Sequence, residues 1–168
     1  GIPDRILLNP GKLTPGEFAI MKTHSAIGGD TIRALLKRQP HHNFLQMGMN
    51  IAYYHHEKCD GSGYPAGLNG DAIPLPARIV ALADVYDAIT SKRVYRAAMS
   101  HDEAAACIRE GRGKHFDSDV VNAFEQRREE FERMAMELRD SDDGSLISGV
   151  ATQVSAASTP QLLGSCAL

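Results

Sequence analysis

The sequence has little cysteine. Cys59, Cys107 and Cys166 are odd in number, widely spaced and without a CxxC pair, which argues against both a disulfide framework and a thiolate zinc site and fits a reducing cytoplasm. It also lacks long apolar runs. Stretches such as Ile79 to Ala83 stop at five residues, whereas a membrane-spanning helix needs about 20. Basic charge is not in excess either: 18 Lys and Arg against 21 Asp and Glu leave a net charge of -3. Nothing global therefore attracts nucleic acid or an anionic membrane, and an anionic substrate would have to be held by local cations or metals. No basic stretch followed by an apolar one reads as a signal peptide. The chain opens with Gly1-Ile2-Pro3-Asp4 rather than Met, as a fragment or a processed chain would. No internal repeat is visible.

What is present is the composition of a folded domain. The 168 residues are 43% hydrophobic and 23% charged, enough to build a core, and their number fits one domain or one domain plus a tail. Every persuasive segment is helical, so the expected class is all-α, a bundle of about five helices. Thr14-Pro15-Gly16-Glu17 is a capping box with Pro at the first helical position, and it predicts a helix from there to about Arg38. Gly28-Gly29 weakens that helix and predicts a bend, and Pro40 ends it. A second helix is expected over Asn43 to Glu57. A long Gly- and Pro-rich loop follows, from Lys58 to Leu75, of a length that is usually functional or disordered. A third helix is expected from Pro76 to about Ser91. The capping box Ser100-His101-Asp102-Glu103 opens a fourth, to about Glu110. A last helix is expected over Asp119 to Leu138, with Val120, Val121, Phe124, Phe131, Met134 and Leu138 near helical spacing. Residues 1–139 then form the domain, and 140–168, rich in Ser, Ala, Gly and Thr, a flexible tail.

Three features place metal-competent groups where helices would otherwise carry apolar ones. His55-His56 stands at the end of the second helix and the mouth of the loop. Neighbours on a helix point about 100° apart, so these imidazoles are expected to reach adjacent positions rather than chelate one ion together, which suits more than one metal. Alone, the pair fits a capping or surface role, since positive charge is favoured at a helix C-terminus. Asp84 follows an apolar stretch of a buried-looking helix, and a buried carboxylate needs a cation. Its alternative is a pair with an arginine such as Arg78 or Arg93. Asp87, at i+3, lies on the same face and could orient a ligand or a lysine. His24 sits in the first helix beside Met21 and Ile27 and alone reads as a hydrogen-bonded core histidine. Joint occurrence changes the balance, because three His and one Asp on three helices can converge in a bundle core. Such ligands, without thiolate, suit Fe, Mn, Zn or similar divalent ions. Arg93 and Arg96, in SKRVYR, could hold a phosphodiester bidentately, with a solvated basic turn the equal alternative. His41-His42 read as surface residues, His101 and His115 as structural ones. Cys59 has no base beside it and is not proposed as a nucleophile.

The string HHEKCDGSGYPAGLNGDAIPLPARIVALADVYDAITSKRVYR, from His55 to Arg96, resembles the signature region of the HD-GYP domain family. Gly63-Tyr64-Pro65 is the tripeptide in that name, and the ordered series MKTH, HHE, DGSGYP and ADVYDA is far more specific than GYP alone. The likeness runs over roughly residues 1 to 135. It implies a helical, metal-dependent phosphodiesterase that hydrolyses cyclic di-GMP to pGpG or GMP, by attack of a hydroxide bridging two or three divalent ions, Fe or Mn. By position, His24, His55, His56 and Asp84 match the family's metal ligands, Arg93 and Arg96 its phosphate-contacting cations. Gly63, Tyr64 and Pro65 match its substrate- and partner-facing loop. The resemblance also implies cytoplasmic signalling partners such as a diguanylate cyclase, and leaves room for a homodimer. The family's His-Asp dyad with its following Gly-Lys would lie before Gly1, so the expectation is a domain without its N-terminal HD helices and feeble or inactive by itself. Cys59 where an aromatic is common, and Ser118 where Pro is, are smaller departures. A non-catalytic cyclic di-GMP-binding or interaction module, or another HD-superfamily nucleotide phosphohydrolase, are the alternatives.

Overall fold

A computed structural model of the chain describes residues 1–91 and 98–142. In chain order the helices are α1 (Asp4–Leu7), α2 (Pro15–Leu36), α3 (Asn43–Tyr54), α4 (Leu75–Thr90), α5 (His101–Glu110), α6 (Ser118–Gln126) and α7 (Arg128–Asp142). A single 3₁₀ turn, Gly70–Ala72, lies in the loop between α3 and α4. Among the described residues there is no strand, only the isolated bridges Asp60 to Asn69 and Arg112 to Phe116. The fold is all-α, as expected.

Both capping boxes form. The Glu17 amide donates to the Thr14 hydroxyl at 3.3 Å while the Thr14 amide donates to the Glu17 carboxylate at 2.8 Å. Ser100 and Glu103 repeat the pattern at the start of α5. Two expectations change. The final helix is two helices, because the chain breaks at Arg127, with φ -115° and ψ 18°. That turn lets Phe131 on α7 pack edge-on against Phe124 on α6 and Tyr86 on α4, with ring centroids 5.0 and 5.4 Å apart. Met134 and Leu138, farther along, are exposed. The short α1, which burial of Ile6 anchors, had no periodicity long enough to announce it. α7 runs on to Asp142, so the segment expected as a tail begins in helix; residues 143–168 lie outside the described residues.

The main core lies between α4, α5 and α6: Leu82, Val85, Tyr86 and Ile89 pack on Ala104, Ala105 and Ile108, and on Phe116, Val121 and Phe124. Arg78 ties α4 to the start of α6 by donating to the Asp117 carboxylate at 2.7 Å and to Asp71 at 2.9 Å. Asp117 is also the N-cap of α6, accepting from the amides of Asp119 and Val120. On the other flank α2 and α3 form a hairpin. α2 runs unbroken through Gly28-Gly29, and Gly29 serves close packing. A Cβ on Gly29 would sit 2.4 Å from the ring of Tyr53. The Tyr53 hydroxyl donates to Asp30 at 2.6 Å, which pins that ring over the glycine.

Gly29→Ala should gain about 1 kcal/mol of helix propensity but lose more through overpacking, which costs about 1–3 kcal/mol or more where a side chain cannot give way. We expect a net destabilisation in chemical denaturation; an unchanged or raised midpoint would show that the two helices can separate freely. Burial opposes ionisation of Asp117, yet the Val120 amide and Arg78 outweigh it and hold its carboxyl below the ordinary range. A depressed folded-state pKa stabilises above the unfolded value, and the benefit disappears as pH falls through the folded one. Stability should therefore fall below about pH 4, and Asp117→Asn should flatten that part of the profile measured by thermal melts across pH 2–6.

Candidate metal centre

The hairpin sets two histidine-bearing segments side by side. His24 projects from α2, and His55 takes the C-cap of α3. There the helix ends three residues earlier than expected, in a turn closed by the Glu57 amide on the Tyr54 carbonyl at 3.0 Å. His56 follows inside that turn. The Nε2 of His24 lies 3.0 Å from that of His56 and 3.4 Å from that of His55, and ligand nitrogens of all three fall within 4.8 Å of one another. His24 thus lies close to both of the other rings, while the three ligand atoms lie within 4.8 Å of one another.

The backbone fixes two of the rings. His24 Nδ1 lies 2.7 Å from the Met21 carbonyl and His55 Nδ1 2.9 Å from the Ile51 carbonyl. A carbonyl only accepts, so each Nδ1 carries the hydrogen and each Nε2 of a neutral ring is left as a lone pair. Two lone pairs then face each other at 3.4 Å with no proton between them. A cation resolves this repulsion. Two nitrogens bound to one ion at about 2.1 Å lie roughly 3.0 to 3.4 Å apart for bond angles between about 90 and 109°, the range these rings occupy. A backbone carbonyl on the far ring nitrogen is also how ligating histidines are usually held. Burial pushes the His55 imidazole below its ordinary pKa, and pushes His56 down to about 2, which favours the uncharged rings that a metal needs. The donor set fits a divalent ion.

Asp84 stands half-buried on α4, near enough for its charge to bear on both His55 and Tyr64. Arg78, a partner considered for it, is engaged by Asp71 and Asp117 instead. Asp87 is exposed and accepts from the Ser91 hydroxyl. Arg93 and Arg96 lie outside the described residues.

The Gly-rich loop closes over the histidines. Gly63 passes so near the preceding chain that a Cβ there would lie 2.4 Å from the Lys58 nitrogen, 2.5 Å from Glu57 Cα and 2.6 Å from the His56 oxygen. The Tyr64 amide donates to the His56 carbonyl at 3.2 Å, and its ring covers the His56 ring at a centroid distance of 4.8 Å and an angle of 31°. The Tyr64 hydroxyl is buried and has no hydrogen-bond partner among the described residues. Burial and then the Asp84 charge push its pKa far up. Pro65 and Ala66 form the exposed edge of the loop.

Sequence reasoning missed two residues here. Glu57 is only 2% exposed, and its carboxylate accepts from the amides of Ala66 at 2.7 Å and Leu68 at 3.0 Å. The signal was an acidic residue just upstream of a loop whose amides find no regular ladder. Lys22, two residues before His24, holds its ammonium 5.4 Å from the ring centre of Phe18 and 5.7 Å from that of Tyr64. Its place one turn beyond Phe18, on the same face of α2, could have marked it.

Residues 1–120 match the family described as HD domain. The chain belongs to the HD domain family. Within it, the HD-GYP reading of the motifs holds. The chain is 51% identical over 84% of its length to a cyclic di-GMP phosphodiesterase of Vibrio cholerae serotype O1, and 44% identical over 84% to one of Thermotoga maritima. A 3'3'-cGAMP-specific phosphodiesterase 2 of Vibrio cholerae is 38% identical over 83% of the chain. The chain spans 29%, 37% and 26% of the length of these three relatives. No helix among the described residues is long and apolar enough to cross a membrane.

Gly63→Ala forces backbone against backbone, so the loop must move. We expect a loss of about 1–3 kcal/mol in stability together with faster hydrogen exchange at the Tyr64 amide. Unchanged melting and unchanged protection would show that the close approach is not required.

Proposed function

We propose that this domain is the metal-dependent catalytic unit of a phosphodiesterase whose substrate is cyclic di-GMP, cut to pGpG or GMP. The observation that carries the reading is the pair of facing Nε2 lone pairs of His24 and His55, each fixed by a backbone carbonyl and together calling for a cation. His24, His55, His56 and Asp84 would hold divalent ions, two or three of them, with Fe or Mn suited to nitrogen and carboxylate donors. Bound there, such ions would polarise phosphoryl oxygens and lower the pKa of the attacking water.

The chain's own groups do the rest. Two carbonyls aim the His24 and His55 imidazoles, and burial favours the uncharged forms of His55 and His56. Lys22 supplies a positive charge at the rim, and Arg93 and Arg96 would grip phosphate oxygens. Gly63, Tyr64 and Pro65 face the substrate, with Asp87 one turn beyond Asp84 in a supporting place. The likeness to relatives named for cyclic di-GMP, at higher identity than the one named for 3'3'-cGAMP, favours the former nucleotide. We assign residues 1–139 to the domain and 140–168 to a tail, a cytoplasmic setting, and the loop edge at Pro65 as the place where a diguanylate cyclase or a second copy would dock.

The test is metal content by mass spectrometry after loading with Mn²⁺ or Fe²⁺, with hydrolysis of cyclic di-GMP and of 3'3'-cGAMP followed in parallel, on this chain and on a form extended upstream. Expected are bound metal, loss of most of it in His24→Ala, and a preference for cyclic di-GMP that a chelator abolishes. Nucleotide binding without metal or turnover in either form, untouched by His55→Ala, would mark a binding module instead.

A further inference from the structure

We infer that Glu57 is a positioning residue of the metal centre: by clamping the amides of Ala66 and Leu68 it holds the loop so that Tyr64 stays on His56. The inference rests on the metal reading above and concerns a residue outside the ligand set. Three contacts lead to it. Glu57 directly follows His55 and His56, yet its carboxylate turns away from the histidines and binds the loop nine and eleven residues downstream. Both oxygens are used, each by one amide. Between those anchors and His56 the loop has little freedom, since Gly63 touches the backbone of His56, Glu57 and Lys58, and Tyr64 hydrogen-bonds the His56 carbonyl.

The carboxylate matches two amide donors as no neutral isostere can. A glutamine offers one accepting oxygen and an NH₂ group, which would face an N–H with another N–H. One clamp bond is then lost and a buried donor left unmet. The base of the loop has its own fastenings, the amides of Cys59 and Asp60 on the carbonyls of His115 and Lys114. Loss of the Glu57 clamp should therefore loosen the segment from Tyr64 to Leu68 and leave the rest in place. Tyr64 leaves His56 as it loosens, and the third ligand ring loses the cover that orients it.

Co²⁺ is the probe, because its visible absorption reports both affinity and ligand geometry. In Glu57→Gln we expect the Co²⁺ dissociation constant to rise about tenfold, as for other groups that orient a ligating histidine, with an altered absorption band. Amide exchange at Ala66 and Leu68 should accelerate at least about tenfold. Tyr64→Ala should weaken Co²⁺ to a similar degree, and the double variant no further, since both act through the same ring. Glu103→Ala, which removes the side-chain half of the distant capping box of α5, is the control: it should lower the melting temperature without moving either readout. Co²⁺ affinity unchanged in Glu57→Gln, or additive losses in the double variant, would overturn the inference. So would rapid exchange at Ala66 and Leu68 in the unmodified protein, a measurement that needs no variant to fold. Failure of both this chain and the form extended upstream to hydrolyse cyclic di-GMP would sink the proposed function and leave these readouts intact; failure to bind Co²⁺ at all would sink both.

Discussion

The close contact of α2 with α3 at Gly29 and Tyr53 is the constraint on which the rest depends. Without a side chain at Gly29 the Tyr53 ring settles directly on the α2 backbone, and Asp30 fixes it by its hydroxyl. The helices are joined by a short connection and packed together, so they run antiparallel. Moving back along α2 to His24 and onward along α3 to His55 therefore leads to the same end of the hairpin. A wider spacing would take His24 Nε2 out of reach of the other two rings. Helix propensity argues for alanine at this position; the site argues for glycine, and the site prevails.

The second constraint is where α3 stops. A helix continued to Glu57 would have splayed His55 and His56 around its axis and sent Glu57 to a third direction. Ending at Tyr54 instead, with the Glu57 amide closing a tighter turn, lets both imidazoles face His24 and frees Glu57 to reach the loop. The loop then covers what the turn has gathered. Gly63 supplies close approach and Tyr64 an aromatic face, while Glu57 supplies the two acceptors that a buried irregular backbone must find.

Much of this was legible in the residues. The capping boxes at Thr14 and Ser100 announced two helix starts, because their hydrogen bonds are local and need only three consecutive positions. The candidate ligands His24, His55, His56 and Asp84 stood out as polar groups in apolar surroundings, and the structure gathers the three histidines. What was not legible depends on distance in the chain. The break at Arg127 follows from Phe131 packing on Tyr86, about 45 residues away in sequence, which no local periodicity encodes. Gly28-Gly29 read as a weakness in a helix because its reason, Tyr53, lies on the next one. Arg78 looked like a partner for Asp84, but its guanidinium goes to Asp71 and to the N-cap of α6. Glu57 passed as an ordinary charged residue at a helix end, since its acceptors are filled by amides not yet folded around it.

The centre is a poor piece of core, and that is an argument about its purpose. Three imidazoles packed in contact, two with lone pairs opposed, stabilise the fold less than apolar side chains of similar volume would. The Tyr64 hydroxyl beside them is buried with no hydrogen-bond partner among the described residues, at a cost of about 1–3 kcal/mol. A few residues away, the α4–α5–α6 core obeys every packing rule with Leu82, Ile89, Ile108 and Val121 fully or nearly fully enclosed. Arg78 Nε and His101 Nε2 are also buried without a hydrogen-bond partner among the described residues, but only at the hairpin end does such a group stand beside a cluster of imidazoles. Local rules fail together at functional sites because a ligand, absent from the rules, completes the arrangement. Here the missing charge is positive, it must sit among nitrogen lone pairs, and the chain's own net charge of -3 supplies no general attraction for an anionic substrate. A divalent ion bound there would meet both needs of the proposed function, satisfying the histidines and presenting a positive charge to a phosphodiester.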